Sequence, residues 1–428
     1  METYINPARN TWTEILKRPL FDVSELYGRV QNILTEIREQ GDEKLREYTE
    51  RFDGVKVDNF EVSEEEIAKA EATVSQELKD AIALAAENIK AFHSVQMPEV
   101  KKMETRPGVT CWQKPVAIEK VGLYIPGGTA PLFSTVLMLA LPAKISGCKQ
   151  IVLCSPPNKN GEIHPAILYA AKVAGVTQIY KLGGVQAIGA MAYGTETVPK
   201  TYKIFGPGNQ YVTAAKQLVS MNEVSIDMPA GPSEVLVVAD ETSNPAFVAS
   251  DLLSQAEHGA DSQVVLVTNN ETTLKEVVAE VDTQLAQLPR KELAEKALSN
   301  SVLIVVSDDA ERVDLINEYA PEHLIISTKS YMDLAGKITN AGSVFLGEFT
   351  PESAGDYASG TNHTLPTNGW ARSYSGVNLD SFLKKITFQE IDKQGLLTIG
   401  PAIEKMAATE ELEAHKNAVT LRLKYLAD

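Results

Sequence analysis

Cysteine is scarce in this chain: three in 428 residues, at Cys111, Cys148 and Cys154. No two of them form a C-x-x-C pair and three cannot all be bridged, which argues against a disulfide framework and suits a reducing compartment. Histidine is nearly as sparse, at six. The longest apolar run, STVLMLALPAKI, is too short to cross a bilayer and holds a proline. The opening METYINPARNTWTEILKRP has no uninterrupted apolar stretch, so no signal peptide is expected and the expected location is cytoplasmic. Positive charge is in deficit, since 40 Lys and Arg against 57 Asp and Glu leave a net charge of −17, without any basic run. No nucleic acid and no membrane is therefore expected as a partner. A G-x-G-x-x-G turn is missing too, so no single motif announces a dinucleotide site.

What remains is the composition of a soluble globular protein, 44% apolar and 23% charged, long enough for two or three domains. The first hundred residues read as helical, and Ser63 and Glu66 have the spacing of a capping box ahead of a 3.6-period run. After VGLYI the texture changes to short β-branched runs alternating with ten-residue helix patterns. CKQIVLC, VTQIYKL and TYKIFG form one such series; EVLVVAD, QVVLVT, SVLIVVS, HLIIS and GSVFLG form a second, beyond the turn-rich MPAGPS. Strands alternating with helices imply βαβ units and parallel sheets, the first series inserted into the second domain. Residues 350–376, rich in Gly, Ser, Thr and Asn, read as a long functional loop, and the C-terminal stretch as amphipathic helix.

The polar residues divide into bland and chemical readings. In PAFVASDLLSQAEHGADSQ, Pro245 opens a helix and Gly259 closes it, so His258 falls in the last turn, where an imidazole favours the helix dipole. That helix-end reading outweighs a metal site, although Gln255 three residues earlier offers an oxygen on the same face. In APEHLII, Pro321 ends a helix and Glu322 and His323 lead into a buried strand. The pair is either ordinary core or a general acid and base, each worth roughly 10²–10⁴ in rate. Asp356 and His363 fall in the long loop, where solvation is the default, and His415 sits on a helix face expected to meet solvent. His93 and His164 read as structural. GPGNQYV at residue 206 follows a strand and opens a helix as a Rossmann turn does, but tyrosine replaces its third glycine.

In order along the chain, VGLYIPGGTAPLFSTVLMLA, KLGGVQAIGAMAYGT, FGPGNQYVTAAK, IDMPAGPSEVLVVAD, LLSQAEHGADSQ, YAPEHL, SAGDYASGTNHTLPT and EAHKNAVTLR resemble the histidinol dehydrogenase family. The resemblance runs from about residue 120 to the end, and no matched site position departs from the family's pattern. It implies NAD-dependent oxidation of L-histidinol, through L-histidinaldehyde, to L-histidine, using two NAD, in the last step of histidine biosynthesis. It implies one Zn²⁺ per site on Gln255, His258, Asp356 and His415, with Glu322 and His323 as the catalytic pair. Ser233 and Glu410 match substrate-contacting positions, as do His323 and the metal ligands. Tyr124, Gln186 and Asn209 match positions that contact NAD. Family members are homodimers with shared active sites, which places His415 in the neighbouring subunit's centre.

The expected fold is accordingly α/β, two Rossmann-like parallel-sheet domains with one inserted in the other, and helical N- and C-terminal extensions. Residues 1–20 are expected to form the N-terminal extension, 21–120 with 233–377 the first domain, 121–232 the second, and 378–428 a helical segment serving the partner subunit's site. Three other chemistries compete: a cysteine thiohemiacetal route, a zinc hydrolase with Glu322 as base, and a non-catalytic ligand-binding protein. No cysteine neighbours a histidine in sequence, so buried thiols are the better reading of Cys111, Cys148 and Cys154.

Overall fold

The computed structural model describes residues 1–19, 24–127, 131–229 and 231–427, so the expected boundary after residue 20 lies outside the described residues. Its strands in chain order are β1 (Glu2–Ile5), β2 (Lys102–Arg106), β3 (Val109–Ala117), β4 (Lys120–Tyr124), β5 (Gln150–Ser155), β6 (Gln178–Lys181), β7 (Lys203–Phe205), β8 (Ser225–Ile226), β9 (Glu234–Ala239), β10 (Gln263–Thr268), β11 (Val302–Val305), β12 (His323–Ser327), β13 (Ser343–Leu346) and β14 (Leu383–Ile391). Six form one parallel sheet in the order β1-β11-β10-β9-β12-β13, and five a second in the order β6-β5-β4-β7-β8. The second sheet is inserted between β1 and β9, as the alternating pattern implies. Strands such as EVLVVA and QVVLVT are buried along their whole length, because helices cover both faces of a parallel sheet and leave no polar side.

The expected grouping of residues 21–120 with 233–377 does not hold. The helices Ser24–Gln40 and Asp42–Phe52 share a core with one face of the five-stranded sheet, and Glu64–Thr73 and Gln76–Ser94 with the other. An amphipathic period shows that a helix has an apolar face but not which sheet that face meets. The capping box forms as its spacing predicts, with Ser63 and Glu66 exchanging side-chain and backbone hydrogen bonds. The N-terminal extension is also not simply helical: β1 pairs in register with β11, Glu2 opposite Val302. At the other end, β14 joins β3 and β2 in a small antiparallel sheet before two helices, Lys393–Thr409 and Glu413–Ala427. The long loop contains a short helix, Glu352–Tyr357.

The apolar run too short for a bilayer is a core helix, Phe133–Ser146, buried against β4, β5 and the helices on either side. Among the described residues no helix is long and apolar enough to cross a membrane. The turn after β7 is fixed by a buried ion pair. Lys216 lies 2.5 Å from Asp227 and donates to the Gly206 carbonyl at 2.8 Å, while the Gly206 N–H donates to Asp227 at 2.8 Å. Gly206 has φ +127° and lies so close to Tyr124 that a Cβ would run into the Tyr124 carbonyl. Gly206→Ala is therefore expected to cost at least about 1–3 kcal/mol from the backbone conformation alone. Urea unfolding measures it, and an unchanged midpoint would contradict this account of the turn.

Candidate active site

β9 and β12 are neighbours at the centre of the six-stranded sheet, with His323 opposite Val235. That register sets Glu322 and His323 beside Glu234, the first residue of β9. The Glu234 N–H donates to Glu322 Oε2 at 2.9 Å, and the Glu234 carbonyl lies 3.2 Å from His323 Nδ1. A carbonyl only accepts, so the ring proton sits on Nδ1 and the lone pair on Nε2. Nε2 is buried without a hydrogen-bond partner. Burial pushes the His323 pKa down to about 3, opposed by the Glu234 hydrogen bond, so the ring is neutral at pH 7. A neutral imidazole with one nitrogen pinned and the other bare is equipped to accept a proton.

The helix Pro245–Ala256 brings up Gln255, and His258 follows in the turn beyond the helix rather than in its last turn. The helix Glu352–Tyr357 brings Glu352 and Asp356, spaced i and i+4 on one face. Donor atoms of His258, Glu352 and Asp356 lie within 4.8 Å of one another. His323 is close by: Nδ1 is 3.6 Å from Glu322 and 3.7 Å from Glu352, and Nε2 is 3.8 Å from Asp356. Burial raises all four neighbouring carboxyls. Asp251 and Asp356 go up to about 7, and Glu322 and Glu352 well above their ordinary range, with nearby carboxylates adding to the rise in both glutamates.

The Gln255 amide lies between the Glu352 carboxylate and the Glu234 N–H, where it donates to the carboxylate and accepts from the N–H at 3.3 Å. Two hard oxygens, an amide oxygen and an imidazole make a donor set suited to a divalent ion. Glu352 and Asp251 escaped the reading of the sequence, yet the i, i+4 spacings Glu352/Asp356 and Asp251/Gln255 are visible there.

Ser233 is half-buried next to Glu234, and its carbonyl accepts from the Gln263 N–H at 3.2 Å. His363 is not solvated as its loop position suggests: Nδ1 bonds the Asp356 carbonyl at 3.0 Å and Nε2 meets Thr135 at 3.1 Å. Glu410, just past the helix Lys393–Thr409, and His415, on the helix Glu413–Ala427, are exposed and belong to no donor cluster among the described residues. The positions matched to NAD gather at the carboxyl ends of the other sheet. Tyr124 ends β4 and its hydroxyl accepts from the Gly184 N–H at 3.1 Å. Gln186 donates to Asp53 at 3.0 Å and keeps a buried oxygen without a partner. Asn209 caps the helix Gln210–Ser220 through the N–H groups of Tyr211 and Val212. Asp53, another residue the sequence reading passed over, is raised to about 6 by burial, against the Gln186 hydrogen bond. Cys148 and Cys154 are buried as expected, and burial raises both, Cys148 to about 12, whereas Cys111 is half-buried on β3, away from the site, because the antiparallel sheet leaves that face open.

A family model described as histidinol dehydrogenase matches residues 16–423. A histidinol dehydrogenase of Bacteroides fragilis is 66% identical over 417 residues, 97% of each chain. One from Escherichia coli K12 is 54% identical over 418 residues, covering 97% of this chain and 95% of its own. The crystal structure of a histidinol dehydrogenase from Elizabethkingia anophelis superposes with a TM-score of 0.98 at 56% identity, over 100% of this chain and 99% of that one.

The raised carboxyls have a consequence for stability. Unfolded histidines are half protonated at pH 6.5 and lose that charge by about pH 8, whereas His93, His258, His323 and His363 are lowered in the fold, so histidine contributes a smaller slope of opposite sign that fades across this range. Unfolded carboxyls are then fully ionised, while Asp251, Asp356, Glu322 and Glu352 still hold protons in the fold. The folded state binds the more protons, so stability falls as pH rises through 7. Chelator-treated protein should lose melting temperature between pH 6.5 and 8, and a divalent ion should flatten the decline. A flat profile with chelator would mean the four carboxyls are compensated within the chain itself.

Proposed function

The chain belongs to the histidinol dehydrogenase family, and we infer that it oxidises L-histidinol by way of L-histidinaldehyde to L-histidine, the last step of histidine biosynthesis. It is an NAD-dependent oxidoreductase, and the cytoplasm is its proposed location. The observation that carries the chemistry is the neutral His323, pinned at Nδ1 and bare at Nε2, beside the buried Glu322.

We propose that Gln255, His258 and Asp356, with His415 of the partner subunit, hold one Zn²⁺. The donor atoms of His258, Glu352 and Asp356, all within 4.8 Å of one another, and the raised carboxyls around them support a cation there. When bound, zinc supplies a positive centre for the substrate's imidazole and amine, and NAD a hydride acceptor for each oxidation. His323 Nε2 takes the hydroxyl proton of the alcohol as hydride leaves its carbon. Glu322, whose proton the buried site retains only while no cation offsets the surrounding carboxyls, takes as the ionised carboxylate a proton from the water that adds to the aldehyde. His323 then removes a hydroxyl proton from the hydrate in the second oxidation. Holding the aldehyde throughout keeps a reactive intermediate out of solution. Tyr124, Gln186 and Asn209 serve NAD, and Ser233 and Glu410 serve the substrate, Glu410 from the partner's C-terminal segment.

A homodimer with shared sites is supported by what one chain leaves uncovered. The helix Glu413–Ala427 buries no residue, and Leu397, Met406, Leu412, Leu421 and Tyr425 are exposed. A groove of about 510 Å³ on the antiparallel sheet is lined by Met103, Cys111, Trp112 and Phe388. Such an apolar surface suits a two-fold partner.

Absorbance at 340 nm after mixing protein, NAD and histidinol tests the activity, since a hydrolase or a binding protein makes no NADH. In single turnover, Glu322→Gln should form the first equivalent of NADH quickly and the second slowly, and His323→Asn should slow both. Equal slowing of both equivalents in Glu322→Gln would remove its assignment to the water step. For the shared site, His323→Ala and His415→Ala chains are unfolded and refolded together. Random pairing makes about half the dimers mixed, each with one intact site, so roughly a quarter of wild-type activity should return. No recovery, with mixed dimers confirmed by mass, rejects the exchange.

A further inference from the structure

Behind the catalytic pair lies a buried ion pair that the chemistry above does not use. Glu234 is 2% exposed, and Arg18 reaches it from the segment that follows the first short helix. The guanidinium engages both carboxylate oxygens, Nη2 at 2.9 Å from Oε1 and Nε against Oε2. Nη2 also donates to the Tyr319 carbonyl at 2.6 Å, and the guanidinium stacks 4.0 Å over the Tyr319 ring. The network closes on itself. Tyr319 donates to the Gln263 side-chain oxygen at 2.9 Å, and Gln263 donates to the carbonyls of Lys17 and Asn300, both at 2.9 Å.

Glu234 is also the residue whose N–H holds Glu322 and whose carbonyl holds His323. Its side chain thus anchors the peptide groups that aim both catalytic residues. Tyr319 belongs to the other segment that decides their position. After it the chain turns at Ala320, with φ +51°, and passes through Pro321 to Glu322 and His323. Arg18 therefore clamps the start of β9 and the entry to β12 with one planar fork. A lysine offers no such fork, because its ammonium is a point charge.

We propose that Arg18, acting through Glu234 and Tyr319, is a positioning residue for the Glu322–His323 pair. The inference rests on the catalytic roles proposed above. Stability alone does not call for an ion pair here, since apolar or neutral residues of similar volume commonly replace a buried pair without loss of folding. What the charged fork adds is a fixed relation between two strand ends.

The test uses the full-length, zinc-loaded enzyme with Arg18→Lys, and with the neutral pair Arg18→Met/Glu234→Gln, which leaves no unpaired buried charge. Both should keep their zinc content and a melting temperature near that of the wild type. Turnover should fall by about 10²-fold, the scale of a misplaced catalytic group. The KM values for histidinol and NAD should stay within about threefold. Added to Glu322→Gln, Arg18→Lys should slow the second oxidation by much less than it does alone, because its effect passes through Glu322. Turnover within about threefold of wild type in the folded neutral pair, or fully multiplicative effects with Glu322→Gln, overturns the proposal. If the neutral pair does not fold, Arg18→Lys decides by the same turnover criterion. A wild-type protein that makes no NADH would strike at the activity itself, whereas wild-type turnover with equally fast variants strikes only at the positioning role.

Discussion

Buried negative charge is the constraint around which this molecule is arranged. Glu322, Glu352 and Asp356 lie close to one neutral buried imidazole, and Asp251 adds its charge beside Glu352. Carboxyls in such a place hold protons or share a cation, because isolated ionised groups cannot be buried cheaply. Three separate elements fix the members. Asp251 and Gln255 come from one helix, Glu352 and Asp356 from another, and Glu322 and His323 from the entry to a strand. Backbone groups of Glu234 supply what local compensation exists, an N–H to Glu322 and a carbonyl to His323.

The two parallel sheets use opposite ends. Tyr124, Gln186 and Asn209 stand at or just beyond the carboxyl ends of β4, β6 and β7, where open α/β sheets ordinarily bind ligands. Glu322 and His323, the proposed catalytic pair, and His258 stand instead at or before the amino ends of β12 and β10. His363 spans the gap between the bodies. One ring nitrogen meets Thr135 in the helix after β4, and the other meets the Asp356 carbonyl, while Asn362 donates to the Met138 carbonyl at 2.6 Å. The long loop is thus tied to the body that carries the positions matched to NAD as well as to the helix Glu352–Tyr357.

The C-terminal segment follows a different logic. It is attached where Phe382 stacks on Phe205 at 4.2 Å and Lys203 donates to the Ser381 carbonyl at 2.9 Å. Beyond that anchor, β14 leaves most of its length exposed and the final helices pack chiefly on one another. A segment with so little burial in its own chain draws little stability from it. His415, matched by resemblance to a ligand position, is exposed there and joins no donor cluster among the described residues, which is what supports the proposed shared dimer.

Much of the fold was legible in the residues. Runs such as QVVLVT and HLIIS are apolar throughout because both sheet faces are covered, and Pro245, Asn209 and Ser63 mark helix starts through local hydrogen bonds and dihedral preference. The identities of Gln255, His258, Glu322 and His323 could be matched because those motifs are contiguous. Long-range pairing could not be read. β1 gives no sign that it will join β11 three hundred positions away, and the period of the N-terminal helices does not name the sheet they cover. His363 reads as a solvated loop residue, and nothing in the local sequence singles out Glu352 or Arg18. Their burial comes from segments distant in sequence, and burial is what turns an ordinary side chain into a repelled acid, a neutral ring or a clamp. Residue type and local spacing are properties of neighbours along the chain; the dielectric and the partners that set their chemistry belong only to the folded molecule.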